Sequence, residues 1–152
     1  MIVGGTHSSV ISLVQPMTDS ALLHDLTDRR EIADLVSRLG LWLDEGRFDE
    51  ASTVLVDDVT VDTPGGHAEG IDHVIAQARR NHQHAHLQHV ITNVLIDLDG
   101  DRAAVRANLV VTFADDAVSS QQGERYRFDA VRTHDGWRLS RVEVVPVWKI
   151  EP

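Results

Sequence analysis

Apolar residues recur at helical spacing in one long stretch near the start of the chain. Ile32, Leu35, Val36, Leu39 and Leu43 fall three or four apart and would line one face of a helix. Thr27 or Asp28 is placed to cap that helix, with Glu31 three residues past Asp28 in capping-box spacing, and Gly46 is placed just beyond its end. From about Phe48 to Val56 the pattern predicts a short amphipathic helix. Val59–Thr63 is β-branched and predicts a strand, and Pro64-Gly65-Gly66 predicts a turn. After Gly70 a third helix is predicted from Ile71 to about Asn81, with Ile71, Val74, Ile75 and Ala78 inward. Beyond it the pattern reads as strands over His86–Leu98, Arg102–Ala114, Glu124–Thr133 and Trp137–Trp148. They are joined by Asp99-Gly100-Asp101, a polar loop Asp115–Gly123, and His134-Asp135-Gly136. Pro146 requires an edge position or a bulge in the last strand. Helices followed by a meander, with no linker between, predict an α+β domain with three main helices packed on an antiparallel sheet.

The chain has 152 residues, which fits one domain with a single core. Residues 18–152 are expected to form that domain and residues 1–17 an N-terminal arm. A formal net charge of −10 argues against a nucleic-acid partner, which calls for a basic face. No apolar run reaches the ~20 residues of a membrane span. Met1 to Pro16 carries no Lys or Arg and no long apolar core, so no secretory signal is read there and the cytoplasm is the expected location. The absence of cysteine excludes disulfides, thiolate catalysis and cysteine-ligated metal centres. On the second long strand Val105, Leu109 and Val111 lie on one face, Ala104 and Val110 on the other. Three helices cannot cover both faces, so one is expected to meet a second copy in a homodimer.

The segment His82-Gln83-His84-Ala85-His86-Leu87-Gln88-His89 is the most unusual in the chain. Four imidazoles invite a metal-site reading. In an extended strand, however, His82, His84 and His86 share one face and His89 takes the other, and the segment has no acidic member. No metal site is assigned. No phosphate-cradling glycine loop and no Gly-x-Ser-x-Gly elbow is present.

Several stretches together resemble the SnoaL-like branch of the NTF2-like superfamily, the α+β cones that include polyketide cyclases, scytalone dehydratase and ketosteroid isomerase relatives. They are Asp28-Arg29-Arg30-Glu31-Ile32, Leu43 to Asp49, Gln88 to Asn93, Asp97 to Asp101, Gly123 to Asp129 and Asp135 to Leu139. The resemblance implies a curved sheet wrapped against helices around a deep apolar pocket, with a hydrophobic small molecule as ligand and no cofactor. It implies that Asp44, near the end of the first helix, and His89, on the first long strand, act together as orienting carboxylate and general acid/base.

Within such a cone, Tyr126 and Asn108 would steady a ligand oxygen, Trp42 would form apolar wall or equally a dimer surface, and Asp129 would be a further polar contact. Strand alternation puts Tyr126 on the face opposite Asp129. The expected activity is a lyase, isomerase or cyclase acting on an oxygenated ring compound. The alternative is a non-catalytic binding or assembly module on the same scaffold. It is favoured by Leu39-Gly40-Leu41-Trp42, where the family's dehydratases carry tyrosine. An epoxide-hydrolase arrangement would need Asp44, Arg106 and Asp129 together.

Overall fold

The structure, a computed structural model, describes residues 17–83, 86–116 and 118–151. The expected arm therefore lies, apart from Met17, outside the described residues. Helix α1 spans Asp19–Asp44, and a 3-10 turn covers Phe48–Thr53. Strands β1 (Leu55–Thr63) and β2 (Gly66–Glu69) lead to helix α2 (Ile71–Asn81). Four long strands follow: β3 (His86–Asp99), β4 (Arg102–Ala114), β5 (Val118–Thr133) and β6 (Gly136–Ile150).

Helix α1 starts more than two turns before the predicted cap. Thr18 is the N-cap and its Oγ1 accepts from the Ala21 N–H at 3.2 Å. The added turns carry Leu22, Leu23 and Leu26 in exposed positions, so they lack the buried stripe by which the helix was recognised. Asp28 sits inside the helix as an anchor. Its carboxylate accepts from Arg132 Nη1 and Nη2 at 2.8 and 2.6 Å and from Trp137 Nε1 at 3.1 Å. The Arg132 guanidinium also lies over the Trp137 ring, 4.7 Å from its centre. One carboxylate thus ties α1 to β5 and β6. The helix ends as the sequence predicts. Gly46 takes φ +62°, its N–H reaches Leu43 O, and the Arg47 N–H reaches Trp42 O, the paired bonds of a Schellman motif.

The six strands form one sheet in the order β2-β1-β6-β5-β4-β3. The meander β3–β6 is antiparallel throughout, but β1 runs parallel to β6, so the curved sheet is mixed. Residue patterning along a strand carries no direction, which is why this pairing was not read from the sequence. The predicted second helix is a 3-10 turn that gives way to β1 at Leu55. The predicted polar loop before Glu124 is mostly strand: Gln121 and Gln122 pair with Thr112 and Val111. Gln121 Nε2 also donates to Thr112 Oγ1 at 3.2 Å, so polar side chains there are satisfied within the sheet.

Bulges bend the strands. In β3 the register slips between Thr92 and Leu95 around Asn93, whose φ of +55° asparagine tolerates better than most residues. In β6 it slips at Val147, beside Pro146 and past the last β1 pair at Glu143, so the proline lies both at a bulge and on a free edge. The inner faces of β4 to β6 put Val105, Leu109, Phe128, Trp137 and Leu139 against Ile32, Leu35 and Val36 of α1, all nearly inaccessible.

Candidate active site

Between α1, α2 and the inner face of the sheet lies a cavity of about 650 Å³. Its walls are largely apolar, including Leu39, Leu43, Val61, Val74, Val111 and Val144. Its polar lining includes His82, His89, Gln122, Glu124 and Tyr126.

The geometry begins with a glycine. Gly40 is buried on α1, and a Cβ there would stand 3.3 Å from Ile91 Cδ1 and 3.8 Å from His89 O. Its bare backbone lets the helix approach β3. One turn later Asp44 reaches His89: Oδ1 lies 2.6 Å from Nδ1, and Oδ1 and Oδ2 accept from the His89 main-chain N–H at 3.0 and 3.1 Å. The His89 side chain is only 4% exposed. A carboxylate at the end of a helix opposes its dipole, and the three contacts to His89 account for Asp44 standing there.

Hydrogen bonding assigns the tautomers. His89 Nδ1 faces a carboxylate and carries the proton. His82 follows the end of α2, where its Nδ1 donates to Ala78 O at 2.8 Å. The two Nε2 atoms then meet at 3.4 Å, with ring centres 5.3 Å apart. With both Nδ1 atoms protonated the two Nε2 atoms face each other with lone pairs, and the contact becomes a hydrogen bond when one ring takes up a proton. Strand alternation had set His82 apart from His89. The chain is not extended at His82, which caps a helix, so its ring turns back onto His89. His86 begins β3 on the exposed face, and His84 lies outside the described residues. Among the described residues no group of three or more His, Asp or Glu is arranged to hold a metal.

Tyr126 is buried and lines the cavity. Burial first, then the Glu124 and Asp44 carboxylates, push its hydroxyl far above the usual tyrosine range, so it is a hydrogen-bond donor at any ordinary pH. Trp42 is buried in the wall, edge-on to Phe48 with ring centres 5.3 Å apart, and its Nε1 has no hydrogen-bond partner among the described residues.

Asn108 and Asp129 do not reach the cavity. Both are exposed on the outer face, as is Arg106. The inner residues of β4 are Ala103, Val105, Ala107, Leu109 and Val111, so the even positions face outward. No register shift falls between Tyr126 and Asp129, so turning Tyr126 inward turns Asp129 out. Arg106 and Asp129 accordingly cannot join Asp44 in one site. Glu124 and His82 were missed. Glu124 stands two residues before Tyr126 and shares its face, a signal that was present in the sequence. The position of His82 depends on where α2 ends.

Residues 24–143 match the family of SnoaL-like domains. Among solved structures, the Kfla4162 protein of Kribbella flavida is 27% identical, with a TM-score of 0.76 over 83% of this chain and 95% of its own. A scytalone-dehydratase-like protein of Novosphingobium aromaticivorans shares the fold at 18% identity and TM-score 0.77, covering 86% of this chain and 91% of its own. A type 2 hexachlorocyclohexane dehydrochlorinase, LinA, does so at 16% identity and TM-score 0.77, covering 86% and 92%. No curated protein matches the chain.

Proposed function

The chain belongs to the family of SnoaL-like domains, and from that footing we propose that it is a small acid/base enzyme that eliminates a leaving group from a hydrophobic, oxygenated ring compound. The observation that carries this is the contact between Asp44 and His89 at the edge of an apolar cavity. Asp44 fixes the Nδ1–H tautomer and leaves the lone pair of Nε2 to accept a proton from carbon. A proton taken up at His89 Nε2 is within reach of His82 Nε2, so the pair can hold it until it returns. Tyr126 donates to an oxygen that gains negative charge as the C–H bond breaks. Low polarity around these groups strengthens each of these interactions. The chain's own side chains supply all of this chemistry, without a cofactor. Elimination is preferred over isomerisation or cyclisation because two proteins of the same fold are named for removing water and hydrogen chloride.

The second reading is a ligand-binding module, favoured by the absence of tyrosine at Leu39-Gly40-Leu41-Trp42. The two are separated with 2-tetralone, a neutral bicyclic ketone, in D2O. An enzyme with a working base exchanges the hydrogens next to the carbonyl faster than buffer does, as followed by proton NMR. A binding module perturbs the ligand's resonances without accelerating exchange.

We also propose that two copies pair through the outer face of the sheet, where Val90, Leu95 and Val110 are 46%, 58% and 36% exposed. Val90 and Val110 are direct cross-strand neighbours and make one apolar patch.

A further inference from the structure

We propose that Glu124 is a second catalytic residue of this cavity, the acid that protonates the departing oxygen of an uncharged hydroxy-ketone while His89 takes the proton from carbon. This rests on the elimination activity proposed above and adds to it the leaving-group acid and the charge of the substrate.

Glu124 lies on the inner face of β5, between Gln122 and Tyr126, and lines the cavity. In the register of the sheet it pairs with Leu109 of β4, which pairs with Ile91 of β3, two residues along from His89. The backbones of Glu124 and His89 are thus two strand spacings apart, roughly 10–12 Å with the stagger. Their side chains emerge on the same face, and a ring compound fits between them.

Its environment is that of an acid, not a structural ion. Glu124 is half-buried and its side chain makes no hydrogen bond or ion pair with another described residue. A carboxylate left so in a globular protein is costly unless it is used. The charged and titratable groups near it come from several elements. Helix α1 brings Asp44, the end of α2 brings His82, and β3 brings His89. The inner face of β4 is apolar there, and β6 brings Lys149 to the cavity lining, already ion-paired with Glu151. Burial raises the Glu124 carboxyl above its ordinary value, and the charge of His89 offsets only part of the effect. A carboxyl so placed keeps its proton to higher pH and can give it away.

These groups define the ligand. Among the described residues lining the cavity Glu124 is the one carboxyl group and Lys149, paired with Glu151, the one lysine, with the Asp44 carboxylate behind His89, so a carboxylate or phosphate on the substrate would be repelled. A neutral ketone bearing a β-hydroxyl has a partner for each function. The C–H bond next to the carbonyl breaks and its proton goes to His89 Nε2. The electron pair forms the C=C bond. The C–O bond breaks, the oxygen takes the Glu124 proton, and water leaves. The imidazolium and the Glu124 carboxylate are then reset by transfer of one proton back across the cavity.

The test compares two leaving groups on one probe. 3-Hydroxy-1-tetralone loses water and 3-acetoxy-1-tetralone loses acetate, and both give 1-naphthol, read by its fluorescence. Hydroxide needs an acid to leave and acetate does not. Glu124→Gln is expected to slow loss of water ~100-fold, the scale of a lost general acid, and loss of acetate less than about 5-fold. His89→Ala is expected to slow both alike. Equal losses for the two probes in Glu124→Gln would overturn the acid role while leaving the base intact. A wild-type protein that accelerates neither probe would overturn the elimination activity and this proposal with it.

Discussion

Asp44 holds His89 twice, accepting its main-chain N–H at 3.0 Å and its ring Nδ1 at 2.6 Å. One carboxylate thereby fixes where the strand sits against the end of α1 and which ring nitrogen is left to react. The two functions come apart on substitution. Asp44→Asn keeps an oxygen for the main-chain N–H, so the thermal midpoint should stay within a few degrees of wild type. It removes the negative charge that stabilises an imidazolium, so hydrogen exchange into 2-tetralone should fall ~100-fold. Asp44→Ala leaves a part-buried N–H without its partner and should also cost about 1–3 kcal/mol of stability, measured by urea unfolding.

The extent of this site that the sequence discloses follows from what period and parity can encode. The stripe Ile32–Leu43 and the Gly46 terminus are properties of consecutive residues and are found as predicted, whereas the alternation of β4 separates its two faces without saying which is inward. Pairing Asp44 with His89 depended on resemblance, because the two are 45 residues apart and no local pattern links them. Parity separated Tyr126 from Asp129 but could not say which faced inward. The structure turns Tyr126 inward with Phe128 and Ala130, and on β4 it buries the odd positions, which puts Asn108 outside. The His82–His89 contact was hidden because it arises where a helix ends and a strand begins, and alternation does not hold across that junction.

Asp28 should dominate the acid limb of stability. Hydrogen bonds from Arg132 hold its carboxyl below the ordinary 3.8, against the opposing effect of burial and with help from Trp137. A carboxyl with a lowered native value contributes stability that is fully present above the unfolded value and lost as pH falls through the native one. Asp28→Asn should therefore cost about 2 kcal/mol at pH 7, toward the low end for a charged pair because Arg132 is partly exposed. In urea unfolding the gap to wild type should narrow steadily below about pH 4. A gap that stays constant between pH 7 and pH 3 would show that the Asp28 charge is not what the fold uses.

Glu124 predicts the opposite sign. Its carboxyl is raised in the folded state, so the folded protein binds more protons than the unfolded chain in the window just above the ordinary 4.5. Stability then falls as pH rises through that window. Glu124→Gln, which carries no such charge, should have a higher thermal midpoint than wild type at pH 7, with the difference shrinking toward pH 4. A lower midpoint at pH 7 would place Glu124 among the groups that hold the fold together.

The outer face predicts an assembly. Light scattering at micromolar concentration should give twice the 16.9 kDa chain mass. Val110→Glu, which sets a charge in the middle of the apolar patch, should give the single-chain mass with the circular dichroism unchanged. A wild-type monomer would contradict the pairing.

The central claim, that the Nε2 of His89 is the base, is tested most directly by taking the ring away and giving it back. His89→Gly should lose ~100-fold or more of the hydrogen exchange into 2-tetralone. Added imidazole, which fits the space the side chain vacates beside Asp44, should restore a large part of that rate to the variant and leave the wild type unaffected. Exchange by His89→Gly at the wild-type rate, with or without imidazole, would contradict the account.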